Sequence, residues 1–124
     1  MQYLEKLPEG CPPAGAEQVN SERDVFRLIR KLPPCQDDFR SQRAENPRAI
    51  FSVTECQARG LSVFADRLDC EQARKLPALK RRLVCRVQLV TGAGNLLKTG
   101  GRSHHTWWPL AEYDILSRCQ VEAT

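Results

Sequence analysis

The segment Leu83-Val84-Cys85-Arg86-Val87-Gln88-Leu89-Val90 does most to limit what this chain can become. Leu83, Cys85, Val87 and Leu89 fall on one side of an extended chain, and Arg86 and Gln88 on the other. This is the period-two pattern of a strand with one buried face. Such a strand needs neighbours on both edges and a layer against its apolar side.

Partners are available. Asp24 to Arg30 is rich in β-forming residues and is stopped by Pro33-Pro34, and Gly60 to Ala65 reads as a short strand. Tyr113 to Val121 alternates well enough to predict a last strand. Between Ala65 and Leu83 a helix is expected, with Asp69 as its N-cap and Gln72 three residues on, ending before Pro77. Gly92 with Gly94, and the pair Gly100-Gly101, mark turns. The order is not the regular alternation of a doubly wound fold. It predicts an α+β domain with a small, mostly antiparallel twisted sheet and one or two short helices.

The chain has 124 residues, which fits one domain. Residues 1–22, punctuated by Pro8, Gly10, Pro12, Pro13 and Gly15, read as an extended N-terminal leader laid over a globular domain at 23–124. Residues 35–58 are charged and sparse in apolar residues, a long connection with a helical turn near Asp38 to Ala44. No apolar run has membrane-spanning length, and Met1 to Lys6 lacks the pattern of a secretion signal, so a cytoplasmic location is expected. Cys11, Cys35, Cys56, Cys70, Cys85 and Cys119 are evenly spread without a C-x-x-C pair. They are expected as free thiols, with Cys85 and Cys119 in the core and no metal site.

Each candidate site competes with a plainer explanation. Val90 to Leu97 imitates a dinucleotide-binding turn, but Leu97 stands where the third glycine belongs, so a hairpin is expected. Arg74, Lys75, Lys80, Arg81, Arg82 and Arg86 could grip nucleic-acid phosphates. They also suit the C-terminal end of a helix, where positive charge is favourable. The net charge of +4 is compatible with an anionic partner without demanding one. Arg27 lies mid-strand on the face of Val25 and Ile29, which fits either a snorkelling side chain or an anion ligand.

Ser103 to Pro109 holds both histidines and both tryptophans. In an extended chain His105 and Trp107 share one face, and His104, Thr106 and Trp108 share the other. The expectation is that one tryptophan anchors the core while the opposite His–Trp pair meets a ligand or partner. The expected contact set is Arg59, His104, His105, Thr106, Trp107 and Trp108.

Over residues 23–121 the chain resembles a family of small bacterial proteins. The likeness rests on Phe26-Arg27-Leu28, Ala58-Arg59-Gly60-Leu61-Ser62-Val63-Phe64, an alanine in the following helix, and the Ser-His-His-Thr-Trp-Trp-Pro segment. This resemblance implies no particular activity. More distantly, Phe26-Arg27, Gly60 to Phe64, the helix and Leu83 to Val90 resemble ADP-ribosyltransferase-like and RES-type folds. That resemblance implies an arginine holding NAD phosphates (Arg27), a serine supporting the ribose (Ser62) and a late glutamate, for which Glu112 and Glu122 are the only offers. Three readings follow. The first is a non-catalytic protein-interaction module without a cofactor. The second is an NAD-using enzyme whose catalytic candidates are Arg27, Ser62, His104, His105 and Glu112. The third is a nucleic-acid accessory protein using the basic cluster.

Overall fold

The computed structural model describes residues 2–122. Seven strands form one sheet: β1 (Glu17–Gln18), β2 (Arg23–Ile29), β3 (Leu61–Phe64), β4 (Leu83–Leu89), β5 (Gly94–Lys98), β6 (His104–Pro109) and β7 (Cys119–Val121). Their order is β1-β5-β6-β3-β2-β4-β7, with every neighbouring pair antiparallel. Three short helices accompany them: α1 (Gln42–Glu45), α2 (Glu55–Ala58) and α3 (Arg67–Ala73). The α+β class expected from the sequence is the class observed.

One sheet face carries the main core. Val25 and Ile29 of β2, Leu61 and Val63 of β3, Cys85, Val87 and Leu89 of β4, Leu96 of β5 and Trp107 of β6 form a single buried cluster. The period-two alternation of β4 therefore reports the buried side correctly. α3 packs across β2, β3 and β4 and buries Cys70.

The leader is part of the sheet. β1 pairs with β5, Tyr3 bridges to Leu110, and Val19 is buried in the core. The 35–58 connection is more structured than one helical turn, since it holds a 3-10 turn at Gln36–Phe39 as well as α1 and α2.

Three local expectations are corrected. The helix after β3 starts earlier than Asp69, because the Asp66 carboxylate caps Leu68 N–H at 2.9 Å. Asp69 instead accepts from Ser103 N–H at 3.0 Å, tying α3 to the β5–β6 hairpin. The last strand is confined to Cys119–Val121. Tyr113 turns its hydroxyl to the Gln88 carbonyl at 2.6 Å, Ile115 enters the core, and Asp114 accepts from Ser117 N–H at 3.3 Å to bend the chain into a 3-10 turn. The cysteines are not all free: Cys11 is joined to Cys56 and Cys85 to Cys119, with Cα–Cα separations of 5.6 and 6.3 Å. Even spacing along the chain hid pairs that folding brings together. Cys35 and Cys70 remain as thiols, and burial pushes Cys70 up to about 12, which makes it a packing group rather than a nucleophile.

Candidate functional site: a split in the sheet

The sheet is not uniformly laced. β2 and β4 are paired through seven residues, from Arg23↔Leu89 to Ile29↔Leu83. β2 and β3, the central neighbours, share one pair, Phe26↔Phe64. Continuing that register would place Leu28 opposite Ser62, yet no such pair forms. The sheet thus divides into β1-β5-β6-β3 and β2-β4-β7, joined at one rung and parted beyond it.

Arg27 fills the parting. Its Nε donates to the Asp38 carbonyl at 2.9 Å, and its two terminal nitrogens donate to the Ser62 carbonyl at 2.8 Å and the Arg40 carbonyl at 3.2 Å. The Ser62 contact replaces a backbone donor from β2. The other two come from the loop after β2, which buried Asp38 shapes by accepting from Arg30 N–H at 2.7 Å and Cys35 N–H at 3.0 Å. All three acceptors are neutral, and no described carboxylate forms an ion pair with Arg27. Desolvation pulls the Arg27 guanidinium down to about 10, a tendency that nearby Asp38 opposes and Arg82 reinforces. A guanidinium has five N–H donors, so about two remain for an anion after three carbonyls are served.

The split opens into a cavity of about 430 Å³, within the range of small-molecule sites. Arg27, Ser62 and His104 all line it. Ser62 and Phe64 lie on the same side of β3, and their β6 partners are Thr106 and His104. The Ser62 side chain is exposed to the cavity, while the Phe64 ring meets His104 edge-on at 5.3 Å.

His104 is held in one tautomer. Its Nδ1 lies 2.9 Å from the Thr99 carbonyl, which can only accept, so Nδ1 carries the hydrogen. Thr99 Oγ1 lies 3.0 Å from the same nitrogen and 2.9 Å from Thr106 Oγ1, bracing the ring. Nε2 is then the basic nitrogen. Desolvation lowers the His104 pKa against the opposing carbonyl hydrogen bond, so the ring is neutral near pH 7. Gly60 also lines the cavity, and a Cβ there would collide with Thr106 Cγ2 and lie 3.0 Å from Trp108 Nε1.

Other expected site residues fall elsewhere. Trp107 and Trp108 are both buried, at 0% and 1% exposure, which corrects the expectation that one faces outward. Trp107 Nε1 donates to the Ala93 carbonyl and Trp108 Nε1 to the Cys56 carbonyl, each at 2.9 Å. The sheet is covered on both faces here, so alternation separates two kinds of interior. Thr106 is buried with them. Arg59 is engaged by Glu55 at 2.7 Å and by the Lys6 carbonyl at 2.8 Å, so it braces the leader. His105 lies on the opposite side of β6 from His104, and neither it nor the exposed Glu112 lines the cavity.

The sequence reading missed Glu45, the cavity's α1 carboxylate, which Arg30 holds at 3.1 Å. It sits in a charged connection with no pattern to single it out. Of the basic cluster, only Arg82 lines the cavity; Arg74 pairs with Glu71 at 3.1 Å and Arg86 with Glu122 at 3.7 Å. Among the described residues no cluster of His, Cys, Asp or Glu suited to a metal ion occurs, and no helix is long and apolar enough to cross a membrane. No protein family, curated protein or solved structure matches this chain.

Proposed function

We propose that the split-sheet cavity binds NAD through its phosphates and that the protein is an enzyme acting on the nicotinamide–ribose bond. The observation that supports this reading is the convergence of Arg27, Ser62 and His104 on one cavity. These residues are 35 or more positions apart in the chain, and the fold brings them to one cavity. Arg27 offers a charge held in no direct ion pair with a described carboxylate, and spare donors for a phosphate. Ser62 offers a free hydroxyl for a ribose. Neutral His104 offers Nε2 as a general base.

In the step these roles imply, the bond between the ribose C1′ and the nicotinamide nitrogen breaks. Nicotinamide leaves as a neutral base with the bonding electrons. An incoming hydroxyl, from water or another acceptor, forms the new bond at C1′ and gives its proton to His104 Nε2. Glu112 has no part in this scheme because it lies outside the cavity, whose carboxylates are Asp37, Asp38 and Glu45.

The test is calorimetric titration of the folded protein with NAD, together with chromatographic measurement of nicotinamide release. Binding is expected in wild type and in His104→Gln, with release lost in the variant. Absence of both binding and release in wild type would sink the reading.

A protein-interaction role draws on residues other than the tryptophans. Leu32, Ile50, Leu68 and Leu76 are large apolar side chains at 72%, 99%, 70% and 58% exposure. Leu76 also lines the cavity, so a partner seated there would cover its mouth. Pull-down with Leu76→Ser against wild type tests this second reading: an unchanged set of captured proteins counts against it.

A further inference from the structure

The cavity has a basic rim of its own. Between α3 and β4 the chain runs Arg74-Lys75-Leu76-Pro77-Ala78-Leu79-Lys80-Arg81-Arg82, with a 3-10 turn at Pro77–Leu79. Leu76, Leu79 and Arg82 line the cavity, so this segment forms one lip of it. Lys75, Lys80 and Arg81 are exposed.

The charges on this lip are not equivalent. Arg74 is held by Glu71, and Arg86, just beyond, is held by Glu122. Glu71, the carboxylate closest to this segment in the sequence, is further engaged by Arg67 at 4.0 Å. Lys75, Lys80, Arg81 and Arg82 form no ion pair with a described carboxylate. The plainer expectation for this cluster, stabilisation of a helix C-terminus, covers Lys75, whose N–H donates to the Gln72 carbonyl, but does not account for Lys80, Arg81 and Arg82. α3 ends at Ala73, and Lys80 to Arg82 lie beyond an intervening 3-10 turn, outside the last helical turn where such an effect operates.

We propose that Lys75, Lys80, Arg81 and Arg82 form a docking surface for the sugar–phosphate backbone of a nucleic-acid strand. The occupant is chosen by charge and position. The unpaired cations follow the chain around one lip, and Arg82 continues the positive field inward to Arg27. A polyanion with regularly repeated charges can engage the outer cations together while a terminal phosphate approaches the inner pair. No aromatic side chain lies in the 74–82 segment, so the contact is to backbone rather than stacked bases and carries little sequence preference. The proposal stands independently of NAD binding.

The experiment is fluorescence anisotropy of a short labelled single-stranded oligonucleotide titrated with the full chain at several salt concentrations. Four phosphate contacts on a single strand predict a slope of log affinity against log salt of about −3. The variant Lys75→Ala/Lys80→Ala/Arg81→Ala should reduce that slope by about 2 while leaving NAD calorimetry unchanged. Because all three side chains are exposed, the variant should keep its fold, checked by circular dichroism. Polyglutamate and phosphatidylserine vesicles serve as competing anions. No binding at low salt, an unchanged slope in the variant, or equal competition by either control anion would overturn the proposal. Loss of oligonucleotide binding with intact NAD binding supports it, and a failure to bind NAD leaves it standing.

Discussion

The Arg27 guanidinium donates to the Ser62 carbonyl at 2.8 Å across the gap where the β2–β3 ladder stops. A side chain thus takes over the work of a backbone N–H between the two halves of the sheet. One residue closes the fold and brings an unpaired charge to the cavity, and these two duties can be separated by substitution.

Arg27→Lys tests that separation. A lysine keeps the charge but cannot serve three divergent carbonyls with a planar fork. Stability should fall by about 1–3 kcal/mol as at least one carbonyl loses its partner. NAD affinity should drop by about tenfold or more, because the ammonium has no second donor pair left for phosphate. Urea titration and calorimetry read the two effects; unchanged values of both would show that the three-carbonyl clamp carries neither role.

Gly60→Ala addresses how closely β6 approaches the start of β3. The new methyl would strike Thr106 Cγ2 and press on Trp108 Nε1, whose hydrogen bond to the Cys56 carbonyl measures 2.9 Å. Both neighbours are buried and cannot swing away into solvent. A loss of about 1–3 kcal/mol is expected in denaturant titration, with tryptophan fluorescence altered in the native state.

These two sites show what alternation can and cannot convey. β4 was legible because apolar residues on one face announce themselves through Leu83, Cys85, Val87 and Leu89. One tryptophan was expected to face a ligand or partner because alternation assigns Trp107 and Trp108 to opposite faces without saying that α2 covers the side of Trp108. β1 was illegible for a related reason: Glu17 and Gln18 are both exposed and become a strand only by pairing with Leu96 and Asn95. Arg27 could be nominated from its strand and Ser62 from a family resemblance, but their meeting depends on a ladder that stops after one pair. A missing hydrogen bond has no signature in the residues that fail to make it. Glu45 was hidden likewise, since its role comes from where the 35–58 connection folds back.

His104 gives the protein a pH dependence of defined sign. Its pKa is lowered in the folded state by desolvation, below the ordinary value of 6.5. Above 6.5 the ring is neutral in both folded and unfolded chains, and its contribution is fully present. As pH falls below 6.5 the unfolded chain takes up the proton first, so stability declines until the folded ring titrates as well. Wild type should therefore lose stability between pH 7 and the folded pKa more steeply than His104→Asn. Under the proposed chemistry the same titration should set the acid limb of nicotinamide release, because protonation would remove Nε2 as a base. Imidazole resonances followed by NMR check the direction, and a folded pKa above 6.5 would refute it.

The Cys11–Cys56 bond closes a loop of 45 residues and fastens the leader against α2. By chain entropy a loop of that size contributes about 4 kcal/mol through the unfolded state. Its loss should also reach the cavity, because the fastened leader carries Glu5, whose carboxylate accepts from Ser41 N–H at 2.8 Å and from the Ser41 hydroxyl. Ser41 caps α1, which bears the cavity residues Gln42 and Glu45. Cys11→Ser should thus lower stability by several kcal/mol on the scale of that estimate and speed hydrogen exchange at 41–46 more than in β4, where the ladder is intact. Non-reducing peptide mapping of wild type should recover Cys11 joined to Cys56. Uniform acceleration of exchange would mean that the bond stabilises the chain globally without bracing the cavity wall.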